Sequence, residues 1–400
     1  MALTDYKEQF DNTYEEVFPK VIVSSVIANS RFEPVLSYGG TVKRVIYDIS
    51  AVRVRNTVRG SASTIDNVTD STELLTINIE KEAVFHISDG EVTQTGPLNP
   101  GEVIGGQIAI KVAVALDAIF FAEVRNALFK FDTGDLTTTV SNGTPIILSS
   151  TTVPQMVTKM GAKLKRKNNQ LVTTNMCLVV DAYAAADVTQ YLLGKNIDLA
   201  GYTFKNGYTG EVSNATLYTS ENLQGEATLT STGVFTDTQT ITIGGVVFTT
   251  VTAIGTTAGN VLIGANAAAT ITNLAALINT PGTTTAQGVA LSAADQITIT
   301  DTLGLVATAT SATVLTIVGT GSGRLELSET QTNASWTKNM IHAYFGKKGA
   351  IDMVIQDTKK VDMRQTPDRR GTNIFSSLLA GIKTYADGAK KFLDVLIDAN

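Results

Sequence analysis

Apolar residues at four-residue steps, Ile104, Ile108, Val112, Leu116, Phe120, Val124 and Leu128, mark the strongest helical signal in the chain. Asn99 as N-cap, Pro100 at the first helical position and Glu102 three residues on complete a start signal. The pattern predicts one helix over residues 99–131, roughly 45–50 Å long at 1.5 Å per residue. A helix of that reach would act as a spine on which several elements pack. Ahead of it, Tyr6, Phe10, Tyr14 and Val17 form a narrow stripe in a polar arm, with Pro19 and Pro34 beyond. Between arm and spine the period changes to two. Val42, Val45 and Ile49 open a β region over residues 36–95; Val52-Arg53-Val54-Arg55 and Leu75-Thr76-Ile77-Asn78-Ile79-Glu80 then alternate, separated by a polar stretch from Thr57 to Thr72. Two strands joined by a loop of about fifteen residues are expected, a long two-stranded arm that cannot bury its own faces.

Beyond the spine the text reads α/β. Val153, Met156, Met160 and Leu164 share one helix face, with Lys163, Lys165, Arg166 and Lys167 in the last turn as a solvated helix end. Met176 to Val180 reads as a buried strand, Ala182 to Leu193 as a helix ended by Gly194, and Glu211 to Tyr218 as a strand. Composition then shifts. From Ala227 to Gly323 only Asp237, Asp295 and Asp301 are charged, and Phe235 and Phe248 are the only aromatics. Periodicity persists. Thr240–Ile243 and Val246–Thr249 flank Gly244-Gly245, a two-residue hairpin signal. Ile271, Leu274, Leu277 and Ile278 fit one helix face, and Ile297–Ile299 and Val314–Val318 read as strands. A small α+β domain inserted into a host domain follows, with Gly319-Thr320-Gly321-Ser322-Gly323 as a flexible hinge at its exit. After it, Met340–Phe345 reads as a strand. Phe375–Tyr385 and Lys390–Ile397 read as two strands joined through Asp387-Gly388, the last tying down the C-terminus.

The chain has 400 residues, net charge −6, two histidines and one cysteine. Length suggests two or three domains. The acidic balance argues against a dedicated nucleic-acid reader, though not against a protein that merely surrounds nucleic acid. No apolar run is long enough to span a bilayer, and the polar stretch Met1–Glu16 is not a secretory signal, so the protein is expected to be made and kept in the cytosol. With one Cys and two His, no zinc set of Cys and His type can form within the chain. His86 and His342 are read as structural and Cys177, among Met176, Leu178, Val179 and Val180, as an inert core thiol. Neither a serine-nucleophile elbow nor a phosphate-binding loop is present, so no catalytic residue, cofactor or metal is expected. Arg53, Arg55 and Arg59 are the candidate inter-subunit contacts, three arginines on an exposed arm with few acids nearby; solvated charges on an edge strand are the alternative.

The order of these parts resembles the Hong Kong 97-type capsid fold of tailed phages. The residues that carry the likeness are Val52–Arg55 through Thr76–Ile79 and Glu82–Asp89 for the extended loop and its return, and Asn99–Phe131 for the spine helix. Pro145-Ile146, the helix to Lys167, and Cys177–Asp181 resemble the start of the axial domain, and Tyr385–Lys390 the closing strands. The likeness covers about 300 of the 400 residues and lies in order and texture rather than in a signature motif. It implies an α+β fold with an N-terminal arm at residues 1–35, extended loop and β arm at 36–95, and peripheral domain at 96–145. An axial domain at 146–225, an inserted Thr/Ala-rich domain at 226–328 and a return to both host domains at 329–400 complete it. It further implies a major capsid protein that assembles with itself as pentamers and hexamers in an icosahedral shell. Scaffolding and portal proteins, packaged double-stranded DNA held by non-specific proximity and a decoration protein would be its partners, with assembly in the host cytoplasm and no membrane.

Some members of that fold join a loop lysine to a neighbour's asparagine. No Lys lies between Arg44 and Glu80, so no such crosslink is expected here. Others begin with a long scaffolding segment; here scaffolding is expected from a separate protein or not needed. Two alternatives stay open: an encapsulin-like compartment of the same fold, and a tail or surface binding protein suggested by the Thr-rich stretch.

Overall fold

The computed structural model describes residues 22–31, 40–48, 52–56, 59–60, 65–88, 100–138, 140–168, 175–193, 211–212, 215–365 and 371–399. The stripe Tyr6–Val17, Pro19, Pro34, Asn99 and Gly194 lie outside them. In chain order come α1 (Ser24–Ile27), β1 (Thr41–Asp48), β2 (Thr69–Thr76), β3 (Ile79–Ile87), α2 (Pro100–Ala122) and β4 (Phe129–Phe131). Next are α3 (Thr133–Thr137), α4 (Thr152–Lys167), β5 (Met176–Val180), α5 (Ala182–Leu193), β6 (Glu211–Val212), β7 (Ala215–Thr219) and β8 (Gln224–Ser231). The low-charge stretch holds β9 (Thr240–Ile243), β10 (Val246–Val251), β11 (Asn260–Leu262), α6 (Ala267–Asn279), α7 (Ala293–Ile297), β12 (Leu305–Ser311) and β13 (Val314–Gly319). The chain closes with β14 (Leu327–Glu329), β15 (Ala334–Lys347), β16 (Asp352–Gln365), β17 (Thr372–Lys383) and β18 (Phe392–Asp398). The fold is α+β, and a β pair, the spine helix, an α/β unit, the low-charge stretch and a β return follow one another along the chain.

The spine helix α2 has 23 residues, roughly 34 Å, and is shorter than its stripe suggests. Ile108, Val112, Leu116, Phe120 and Val124 are buried as expected, while Leu128 is exposed. The helix tightens into a 3₁₀ turn at Glu123–Asn126, and Phe129-Lys130-Phe131 then pairs in parallel with β18. An open strand edge beside an alternating Phe-Lys-Phe outweighs the continuing helical spacing. Buried Asp117 on α2 accepts from the backbone N–H groups of Val23 and Ser24, both at 3.0 Å, and from the Ser24 hydroxyl, fixing α1 to the spine.

β15 is the organising strand. Its first half pairs with β8, its second with β5, and its other side with β18, all antiparallel. β5 continues in parallel to β7, and β8 continues to β13 and β12. The compositional break near residue 226 therefore falls inside a strand, and the sheet runs through it. The low-charge stretch adds a second sheet, β11-β10-β9-β14, and its own buried cluster including Ile241, Phe248, Ile271, Leu274 and Ile317. Gly244 and Gly245 have φ of 56° and 81°, as the expected two-residue hairpin needs.

Four other expectations are corrected. Ile297–Ile299 is not a strand: Ser292 caps α7 through the Asp295 N–H, and a π turn follows at Thr298–Thr302. The Ser-x-x-Asp spacing was the stronger signal. Phe375–Tyr385 and Lys390–Ile397 do not pair through Asp387-Gly388. β17 lies between β16 and β3, and β18 between β15 and β4. Gly388 is needed because a Cβ there would sit 2.2 Å from the Ala350 carbonyl oxygen. Glu211–Tyr218 is a short antiparallel pair, β6 with β7, rather than one strand. The glycines at 319–323 form a packed turn rather than a loose hinge. Gly321 faces Ala118, and a Cβ on Gly225 would sit 2.3 Å from the Gly323 carbonyl oxygen.

Candidate assembly surface

β1 and β2 pair antiparallel from Thr41↔Thr76 to Asp48↔Thr69. β1 thus takes the expected Val42 and Val45 but ends before Val52–Arg55, and β2 stops before Glu80, because Leu75–Glu80 spans the break between β2 and β3. Opposed residues share a face, so Val42/Leu75 and Arg44/Glu73 form one side and Lys43/Leu74, Val45/Thr72 and Tyr47/Asp70 the other.

The first side docks on the chain's own body. Leu75 is fully buried with Val354 and Tyr385. The Arg44 guanidinium lies 2.7 Å from Asp387, 3.4 Å from Asp352 and 4.9 Å over the Tyr385 ring. Glu73 accepts from the Ala386 N–H at 3.2 Å. Burial pushes the Asp352 carboxyl up, against the hydrogen bond from Asn29 and the charge of Arg44. Burial likewise pushes the Tyr385 phenol up to about 12. The base of the arm is therefore clamped.

The second side is uncovered. Val45, Tyr47 and Leu74 are 45%, 68% and 53% exposed, and further out Val52, Val54, Ile65 and Val68 are exposed as well. Exposed apolar side chains on the uncovered side of a β pair whose other side is docked make a candidate interaction surface.

The three candidate arginines all lie on this outer ribbon. Arg53 and Arg59 are exposed. Arg55 instead pairs with Asp66 at 2.6 Å, and the Arg53 N–H donates to the same carboxylate at 2.9 Å. The Arg55 guanidinium and the Arg53 N–H hold the Asp66 carboxyl below the usual carboxylate range. The expectation of few acids near these arginines is thus corrected: Asp66 closes the ribbon internally through Arg55. The apolar stripe was not singled out in the sequence, although the period-two spacing of Lys43, Val45 and Tyr47 carries it.

The basic run is a solvated helix end at Lys165, Arg166 and Lys167, which are exposed, and is corrected only at Lys163. Lys163 is not a solvated end: it is nearly buried, 2.5 Å from Asp135 and 2.7 Å from the Ser141 hydroxyl. Lys167 lies 5.9 Å over the Phe129 ring. Cys177 is fully buried, and burial pushes its thiol up to about 12. His86 faces Asn373 across the β3/β17 pair at 2.8 Å. His342 is fully buried on β15, with Nδ1 2.9 Å from Asp394 of β18 and Nε2 3.6 Å from Glu226 of β8. Among the described residues no group of three or more His, Cys, Asp or Glu is placed to hold a metal ion, and no helix is long and apolar enough to cross a membrane.

No protein-family model matches the chain, and no curated protein does. Solved structures resemble its overall course. A structure from Mycobacterium phage Che8 aligns at TM-score 0.48 with 13% identity, over 94% of this chain and 90% of that one. The capsid of Ralstonia phage GP4 aligns at 0.44 with 10% identity, over 97% and 91%. A virus-like particle from Pyrococcus furiosus aligns at 0.39 with 8% identity, over 98% of each.

Proposed function

We propose that this chain is the major capsid protein of a tailed bacteriophage, a tile that closes with its copies into the icosahedral head enclosing double-stranded DNA. One observation carries the reading: a β arm clamped at its base by Arg44, Glu73 and Leu75 that leaves the apolar face of Val45, Tyr47 and Leu74 uncovered. A surface of this kind is stabilised only by another body. An identical neighbour supplies one at every position of a closed shell, where many modest contacts sum.

In this reading residues 36–95 form the reaching loop, α2 the spine of the peripheral domain, and 146–225 with 329–400 the axial domain. Arg53 and Arg59 contact the neighbour, and Arg55 shapes the ribbon through Asp66. The low-charge stretch 226–328 sits on the outer face. From Ala227 to Gly323 its three charges are all acidic, so that span offers no cation to hold phosphates. Scaffolding, portal and decoration proteins are the expected partners, and the host cytoplasm the place of assembly.

Negative-stain microscopy of the expressed protein, with its scaffold co-expressed, tests this. Hollow closed particles are expected; a monomer at all concentrations overturns it. Particles loaded with enzyme rather than DNA in infected cells would favour the compartment reading instead.

A further inference from the structure

We infer that His342 is a proton-dependent latch that holds the C-terminal strand β18 in the central sheet. Among the described residues β18 alone joins β15 to β4, and its Asp394 is fully buried, in register with Tyr344 of β15 and Lys130 of β4. A buried carboxylate needs a compensating charge or hydrogen bonds. His342 supplies both, with Nδ1 2.9 and 3.0 Å from the two Asp394 oxygens.

The other ring nitrogen decides the protonation state. Nε2 points at Glu226, 3.6 Å away, too long for a hydrogen bond but within ion-pair range. Glu226 itself is held by Arg125 at 2.6 Å. A neutral imidazole carries one N–H, so it satisfies one carboxylate and turns a lone pair on the other. Only the imidazolium faces both. The groups that act on it from the packed elements are Asp394 on β18 and Glu226 on β8. Behind Glu226 stand Arg125 in the 3₁₀ turn after α2 and Lys130 on β4. Burial alone would lower the imidazole's titration point, but Asp394 and Glu226 outweigh it and raise it above 6.5. The sign follows. The hold that the charged ring adds is fully present below the ordinary imidazole value and is lost as pH rises through the raised folded value, which leaves one neutral hydrogen bond to Asp394.

Hydrogen exchange with mass spectrometry on the full unassembled chain, from about pH 5.5 to 9, tests this. The readout is protection of residues 391–399 divided by protection of 176–180 on β5, which cancels the intrinsic pH dependence of exchange. The ratio should fall about tenfold with rising pH in the wild type and be low and flat in His342→Gln. Glu226→Gln, whose amide can donate to a neutral Nε2, should weaken the fall or move it, and covers the case that His342→Gln does not fold. A flat wild-type ratio, a pH dependence retained in His342→Gln, or an unchanged profile in Glu226→Gln would each overturn the latch.

Discussion

Replacing the exposed face of the arm by Val45→Thr, Tyr47→Thr and Leu74→Thr should raise the concentration needed for assembly while sparing the fold. Tyr47 is 68% exposed; an aromatic side chain of about 200 Å² thus offers roughly 140 Å² to a neighbour, worth about 3 kcal/mol at 25 cal/mol per Å². Val45 and Leu74, near half exposed, add about 1 kcal/mol each. The ceiling is about 5 kcal/mol. With half of it realised and a threonine methyl retained, about 2 kcal/mol is lost per arm. Each subunit gives one arm and receives one, so this counts once per subunit. The threshold concentration for closing particles should rise about 30-fold. Threonine keeps β propensity, and exposed substitutions usually change stability by under about 0.5 kcal/mol, so the urea midpoint should hold. Light scattering across a concentration series reads the threshold. A triple variant that assembles at the wild-type threshold refutes the claim that this face is covered by a neighbour.

Phe120→Ala, at a fully buried site of α2, should cost about 3–5 kcal/mol in a urea titration; a loss below about 1 kcal/mol would show that α2 is not the spine of the core. Cys177 should resist thiol reagents in the folded chain and react on unfolding, since burial pushes it up to about 12; rapid native labelling would contradict its placement. Mature particles should run as one band on a denaturing gel, because no Lys lies between Arg44 and Glu80; a ladder of higher bands would contradict this. Deleting residues 227–323 joins Glu226 to Arg324, beside the close approach of Gly225 and Gly323, so the remainder should keep helical and β circular dichroism. Its loss would show that the stretch is needed for folding.

Where local pattern and tertiary demand agreed, the sequence was enough. Val153, Met156, Met160 and Leu164 face the core of α4, and Met176–Val180 is buried along its whole length. So is the Gly244-Gly245 hairpin legible, because two positive-φ residues leave few other options. Three of the misreadings share one cause: partners far away in sequence. Phe129–Phe131 leaves the helical stripe because β18, some 260 positions on, offers an edge. Asp387-Gly388 looked like a hairpin, but β17 had two other neighbours already. β16, the longest strand beside β15, was not foreseen, because Asp352–Gln365 is too mixed in polarity to show period two. Of the candidate surface, the arm and its arginines were legible. Its decisive feature, which face the body covers, depends on contacts of Arg44 and Leu75 with residues near 352–387 that no local pattern carries.

The most direct test is sedimentation velocity of the purified chain, with scaffold present, as concentration rises. Closed shells predict an abrupt passage from the 42.3 kDa subunit and small capsomers to one narrow boundary of many megadaltons. A species that remains monomeric, or that broadens without limit into open polymers, would contradict the account.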